Sequence, residues 1–378
     1  MDLFHSVFGT DGLILGTLVP FLFVLMLVVF VHEMGHYLVG RWCGIGVQAF
    51  SIGFGPEIIG FNDRRGTRWK LSLVPLGGYV KFVGDMNVTS APDSAEMQGL
   101  SDVDRRRAFH TQPVWKRALT VFAGPLFNFL LTIAVFAVFF GSYGREVFQP
   151  TVAEVQVGSP AERAGFQPGD RFKEIDGQAV TSFGDVQRMV SSRGGDALRF
   201  VVERDGQNVT LTATPEVREI TDPIGNEIRM AVIGIVNTRE VGQPQLIEYS
   251  PLEALGQAVV ETGDVIARTG QFLRRFVVGR EDRCQLGGPV RIAGMAENAA
   301  KVGFPMLVQL AALLSVGIGI LNLLPIPPLD GGHLAFYAIE AARRRPVSER
   351  AMEAVYRVGF ALVLGFMVFV FWNDIFGC

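Results

Sequence analysis

Four stretches of this chain, Ile14 to Val31, Ala118 to Phe140, Phe304 to Leu324 and Val355 to Trp372, stay apolar for about the 20 residues that a helix needs to cross a hydrocarbon core of about 30 Å. Backbone inside lipid has to satisfy its own hydrogen bonds, so the sequence predicts a multi-pass α-helical membrane protein with about four transmembrane helices. The composition agrees. Of 378 residues 49% are hydrophobic and 19% charged, and 30 Phe outnumber 6 Tyr and 4 Trp, which suits surfaces against lipid tails and excludes a single water-soluble globule. The third stretch is broken by Ser315 and several Gly, so its ends are the least sharply marked. No Lys or Arg precedes the first stretch and no small-residue cleavage site follows it, so it reads as a permanent anchor.

Basic residues sort the connections by side. Lys and Arg are dense from Arg41 to Arg117 and again at Arg343, Arg344, Arg345 and Arg350, whereas Met1 to Leu13 and Asn373 to Cys378 have none. The expectation is that both basic loops face the cytosol and that both termini, with the long 141–303 connection, lie outside. Charge says little else: 34 Lys and Arg balance 37 Asp and Glu, so the basic footprint of a nucleic-acid-binding protein is missing. Cys43, Cys284 and Cys378 follow no metal or CxxC spacing, which excludes a disulfide framework.

The external connection contains one module, at 149–238. Thr151 to Val155 reads as a strand, Ser159-Pro160-Ala161-Glu162 as a capping box, and Pro168-Gly169-Asp170 as a turn into the strand Arg171 to Ile175. Asp176-Gly177 and Asp205-Gly206 are hairpin signals, and Ser182 to Ser191 is the one longer helix. Gly165-Phe166-Gln167-Pro168-Gly169-Asp170-Arg171-Phe172 and Ile175-Asp176-Gly177 resemble a PDZ domain of the bacterial envelope-protease type, which implies an inserted α+β domain that takes a C-terminal carboxylate or extended peptide, or that filters substrates by size. An amphipathic linker, 246–303, follows, with helical periodicity from Pro251 to Val278.

Chemistry is concentrated where the first apolar stretch ends, at His32-Glu33-Met34-Gly35-His36. Residues four apart on a helix point the same way, so both imidazoles can take one metal ion, and Glu33 beside them can move the proton of an activated water. His and Glu at the end of an apolar span are costly without a function. Catalytic zinc normally has three protein ligands, and the best third is Asp330 in Asn322-Leu323-Leu324-Pro325-Ile326-Pro327-Pro328-Leu329-Asp330-Gly331-Gly332, which topology brings to the same membrane depth. Its plain alternative is a turn aspartate before two glycines, and His333 is its rival as third ligand.

A membrane-embedded H-E-x-x-H, a distal N-x-x-P-x-P-x-L-D-G-G and a PDZ domain between them resemble the site-2 protease family, in its bacterial sigma-factor-regulating (regulator of sigma-E protease-like) branch. The likeness extends to Gly53-Phe54-Gly55-Pro56, Pro75-Leu76-Gly77-Gly78-Tyr79-Val80 and Gly124-Pro125-Leu126-Phe127-Asn128-Phe129. It implies one zinc ion on His32, His36 and Asp330, Glu33 as catalytic glutamate, and Asn322 and Asn128 holding substrate or the developing oxyanion. Some members of the branch carry two PDZ domains in tandem, and this chain has room for one. The implied activity is cleavage of single-span membrane proteins, such as an anti-sigma factor, in or near the bilayer of the bacterial inner membrane during regulated intramembrane proteolysis. The domain order is then a first membrane half at 1–141 with a cytosolic loop at 41–116, the periplasmic PDZ-like domain, the linker, and a second membrane half at 304–378. A non-catalytic PDZ scaffold and another membrane H-E-x-x-H protease are the alternatives.

Phe50 to Phe61 and Trp69 to Phe82 flank Asn62 to Thr67 and read as a membrane-associated β-hairpin dipping toward the metal. Asn128 taken alone is equally well a packing hydrogen bond between helices. Many of the 44 Gly gather near the motifs, at Gly35, Gly53, Gly55, Gly77, Gly78, Gly124, Gly331 and Gly332, which suggests irregular backbone around the site.

Overall fold

The computed structural model describes residues 13–84, 100–191, 193–221, 227–238, 245–279, 286–345 and 347–377. The N-terminal residues before 13, the 85–99 part of the basic loop, Cys284 and Cys378 therefore lie outside the described residues. Two compact units emerge, one from 1–135, 261–269 and 286–378, the other from 136–260 and 270–285.

In the first unit a π-helical turn at Leu13–Leu18 leads into α1, Val19–Trp42, with Pro20 tolerated in its first turn. The helix runs well past Val31, where apolarity fades, because 32–42 holds no proline and His32, His36 and Tyr37 are buried against neighbours. Gly35 and Gly40 let those neighbours come close: a Cβ at Gly35 would run into the Ala123 backbone, and one at Gly40 would lie 2.7 Å from the Phe82 ring. Strands β1, Val47–Asn62, and β2, Arg68–Phe82, pair antiparallel with several register shifts. Phe50, Val80, Phe82 and Tyr37 form their core against α1. At the tip, Asp63 accepts hydrogen bonds from the amides of Arg65 and Thr67, from Trp69 Nε1 and from Tyr37 Oη, which fastens the hairpin to α1. Burial works against the Asp63 charge, but these donors outweigh it and hold the carboxyl down at about 2. A short helix α2, Asp102–Arg107, capped by Ser101, precedes α3, Val114–Tyr143, which belongs to this unit as far as residue 135.

The second unit contains β3 (Arg145–Val147), β4 (Glu154–Val155), α4 (Pro160–Ala164), β5 (Arg171–Ile175), β6 (Gln178–Ala179), α5 (Phe183–Ser191), β7 (Leu198–Arg204), β8 (Gln207–Ala213), β9 (Glu216–Thr221), β10 (Glu227–Val232), β11 (Ile235–Val236) and β12 (Gln245–Ile247). Four of these strands make a sheet in the order β6-β5-β7-β8, and β9–β10, β4–β11 and β3–β12 pair separately. Val152, Phe166, Phe172, Ile175, Leu198 and Phe200 fill the core between the sheet and α5. Ser159 caps α4 by accepting from Glu162 N, but the Glu162 carboxylate returns to Gly158 N, one residue before the expected partner. Asp170, fully buried, accepts two bonds of 2.7 Å from Arg204, so the turn after Pro168 is held by charge as well as by Gly169. Helix α6, Pro251–Val277, opens with a Ser250/Glu253 capping box and contributes residues to both units.

The first unit is completed by α7 (Pro289–Val302), α8 (Phe304–Asn322), α9 (Asp330–Arg343) and α10 (Glu349–Trp372). Among the described residues, four helical segments are long and apolar enough to cross a membrane: Leu15–Trp42, Val114–Tyr143, Phe304–Asn322 and Arg350–Phe376. The third apolar stretch ends sooner than the hydropathy suggests. Pro325, Pro327 and Pro328 cannot continue α8, so the chain turns and Asp330 opens a separate helix instead of closing the span.

Candidate metal centre

His32 and His36 lie slightly more than one turn apart on α1, so their rings leave the same face. Both are buried, at 8% and 9% exposure, and their Nε2 atoms are 3.2 Å apart. Asp330 reaches them from another helix, its Oδ2 3.1 Å from His32 Nε2 and 3.5 Å from His36 Nε2. One ligand atom from each of the three residues falls within 4.8 Å of the others. His36 Nδ1 lies 2.9 Å from the Thr120 carbonyl, which can only accept, so the proton sits on Nδ1 and Nε2 turns a lone pair inward. Asp330 Oδ2 is buried and accepts no hydrogen bond despite its short distances to both rings. Buried electron-rich atoms this close together are costly unless a proton or a metal cation joins them, and two imidazoles with one carboxylate are a donor set that fits tetrahedral zinc with a position left open.

Close backbone packing sets this geometry. The two rings lie on α3 at Gly124, where a Cβ would run into His36 and lie 2.8 Å from His32 Cε1. Asp330 is aimed by the fold of its own loop: a Cβ at Gly331 would strike the Leu323 and Leu324 carbonyls, and one at Gly332 would lie 2.5 Å from Pro327 N. Helix α9 is clamped to α3 by a bidentate pair, Arg117 Nη2 to Glu340 Oε1 at 2.7 Å and Nη1 to Oε2 at 3.2 Å, with the Arg117 guanidinium also 5.0 Å from the Tyr337 ring. Around the cluster is a cavity of about 560 Å³ lined by Glu33, Asn322, His333 and the β2 residues Gly77 to Val80, among others.

A model of peptidase family M50 matches residues 20–366, taking in both parts of this cluster. The chain belongs to peptidase family M50. A protein of Mesorhizobium japonicum, named as a zinc metalloprotease, is 70% identical over 365 residues, covering 96% of this chain and 100% of that one. A protein of Agrobacterium fabrum with the same kind of name is 52% identical over 98% of each chain, and the metalloprotease MmpA of Caulobacter vibrioides is 41% identical over 95% of each. This M50 protein is a multi-pass zinc metalloprotease.

The remaining residues singled out in the M50 protease's sequence fall in different places. Glu33 lines the cavity beside the three-atom cluster, next to Gly78, where a Cβ would lie 3.2 Å from Glu33 Cγ. Asn322, the last residue of α8, also lines it. Asn128 does not: it is fully buried in α3, with its amide 3.3 Å from His32 Nδ1, on the side of the ring away from Asp330. The resemblance implies that Asn128 holds substrate or the developing oxyanion; its position in this structure matches the alternative, a buried hydrogen bond between helices. His333 lines the cavity but stands outside the three-atom cluster, 2.9 Å from the Tyr356 hydroxyl on α10. Burial pushes its imidazole down to about 4, so it is neutral near pH 7. The residues that sequence reasoning missed are Thr120, Glu340 and Tyr356, whose partners are distant in the chain and leave no local pattern. In the sequence Arg117 reads as a topology signal alone.

Proposed function

We propose that this M50 protease cleaves single-span membrane proteins within or near the bilayer, with His32, His36 and Asp330 holding one zinc ion. The observation that carries the reading is the convergence of these three side chains beside Glu33, in a cavity bounded by α1, α8, α9 and β2. Zinc held there supplies a Lewis acid that acidifies water and polarises a carbonyl. Glu33 takes the proton of the attacking water on its carboxylate and returns it to the leaving amine nitrogen. Asn322, at the cavity wall, donates its amide hydrogens to the scissile carbonyl oxygen as negative charge develops there. The β2 segment Gly77 to Val80 borders the same cavity, and its backbone offers an unwound substrate a strand to pair with.

The 149–238 region acts as a PDZ-like periplasmic domain in this reading, with both termini periplasmic and the basic loops cytosolic in a bacterial inner membrane. A cavity of about 240 Å³ between α5 and the 230–235 segment, lined by Phe183, Val186, Val190 and Ile233, supports a peptide-binding role for it. Cleavage of an anti-sigma factor or similar protein then follows an earlier external cut, and releases a cytosolic fragment.

The test is purified full-length protease with a single-span substrate presented intact and with its external domain removed, the cut mapped by mass spectrometry. The expected cut lies inside the apolar span, and the trimmed substrate is cut faster. Deleting 149–238 should abolish that preference. A cut confined to soluble loops would contradict the assignment.

A further inference from the structure

Asn128 is fully buried where α3 packs on α8. Its backbone carbonyl accepts from Ser315 Oγ at 3.0 Å, and the Thr132 hydroxyl, 3.2 Å from the same carbonyl, is 2.7 Å from Ala312 O and shares its one proton between them, so α3 and α8 are stitched together around it. Gly319 on α8 leaves room for it: a Cβ there would lie 2.9 Å from the Phe129 ring and 3.4 Å from Asn128 Cβ. The hydrogen-bond partner of its side-chain amide is the Nδ1 atom of His32 at 3.3 Å.

Which end of the amide faces the ring decides what the ring can do. With Nδ2 inward, Nδ1 has to accept, the His32 proton moves to Nε2 and points into the cluster, and Asn128 Oδ1 stays buried without a partner. A buried unpaired acceptor costs about 1–3 kcal/mol. With the amide turned by half a revolution, Oδ1 accepts from Nδ1–H, and Nε2 presents its lone pair beside those of His36 and Asp330. His36 is already fixed in that tautomer by the Thr120 carbonyl. A ring that gives Nε2 to a cation carries its proton on Nδ1, and the side chain facing that proton is Asn128.

We propose that Asn128 is a positioning residue whose amide oxygen accepts the His32 Nδ1 proton, fixing the tautomer and ring angle with which His32 meets zinc. The proposal rests on the reading that His32 is a zinc ligand. It gives α8 a second task besides carrying Asn322, because Ser315 and the α3–α8 seam set where the acceptor stands.

Full-length protein in detergent, stripped of metal, is titrated with zinc against a chromophoric chelator as wild type, Asn128→Leu, Asn128→Asp and His32→Ala. Leu has similar volume and no acceptor, so zinc affinity should fall about 10–100-fold, the usual cost of losing a histidine's outer hydrogen-bond partner. Asp can only accept when ionised, so Asn128→Asp should keep affinity within about threefold of wild type or tighten it. A merely structural role for Asn128 would not be rescued by Asp. Loss in Asn128→Asp equal to that in Asn128→Leu overturns the proposal, as does undiminished affinity in Asn128→Leu. If thermal unfolding shows metal-free Asn128→Leu to be unfolded, Asn128→Asp decides alone, with retained affinity in favour and a tenfold or larger loss against. Unchanged affinity in His32→Ala shows instead that the ligand set is wrong, and the proposal falls with it.

Discussion

Replacing Glu33 by Gln should leave zinc bound as in wild type and lower the cleavage rate about 10²–10⁴-fold, the usual contribution of a positioned general base. Gln keeps the size and shape of Glu but cannot accept a proton at neutral pH. Glu33 lies at the cavity wall and supplies none of the three clustered ligand atoms, so the metal has no reason to leave. The loss corresponds to about 3–5 kcal/mol of transition-state stabilisation. Zinc content and single-turnover cleavage, measured on the same preparation, check it. Undiminished cleavage would remove Glu33 from the reaction, and loss of zinc would make it part of the metal site.

Gly124→Ala should be as damaging although glycine carries no chemistry. In a helix interior the exchange usually gains about 1 kcal/mol. Here the new methyl would run into the His36 ring and lie 2.8 Å from His32 Cε1, and both rings are buried with His36 tied to Thr120. Overpacking a buried site costs about 1–3 kcal/mol, so strain exceeds the propensity gain, and it falls on the two imidazole rings proposed to hold the metal. Zinc affinity should drop by at least the about 10–100-fold that disturbing a ligand's support costs. Gly365→Ala is the control, since a Cβ there meets nothing within 4 Å, and it should bind zinc as wild type does. Equal zinc affinity in both variants would show that the rings tolerate displacement.

The histidine pair was legible in the sequence because it is a local pattern of period 3.6, and so were the four apolar helices, whose length a bilayer dictates. The course of the chain beyond each apolar run was not. Hydropathy fades at Val31, but α1 continues to Trp42 because its polar residues find partners from other elements, as Tyr37 does with Asp63. Asp330 was placed near the histidines by topology, but its separate helix follows from the proline-rich turn and from Gly331 and Gly332 packing on their own loop. The glycine excess by itself implies irregular backbone. At Gly35 and Gly124 the backbone is regular helix, and the missing Cβ lets two helices and two imidazoles touch. Hairpin positions such as Gly53 (φ +88°) and Gly77 (φ +134°) do use glycine's conformational freedom. Pairs such as Arg117 with Glu340, separated by 223 positions, leave no trace in one sequence.

The central claim is that His32, His36 and Asp330 together hold the zinc of this protease. Zinc bound per chain at equilibrium, in wild type, His36→Ala and Asp330→Ala, tests it most directly. One zinc ion per wild-type chain is expected, with both variants weakened by more than the about 100-fold that loss of an outer hydrogen-bond partner can cost. Wild-type zinc affinity in either variant would contradict it.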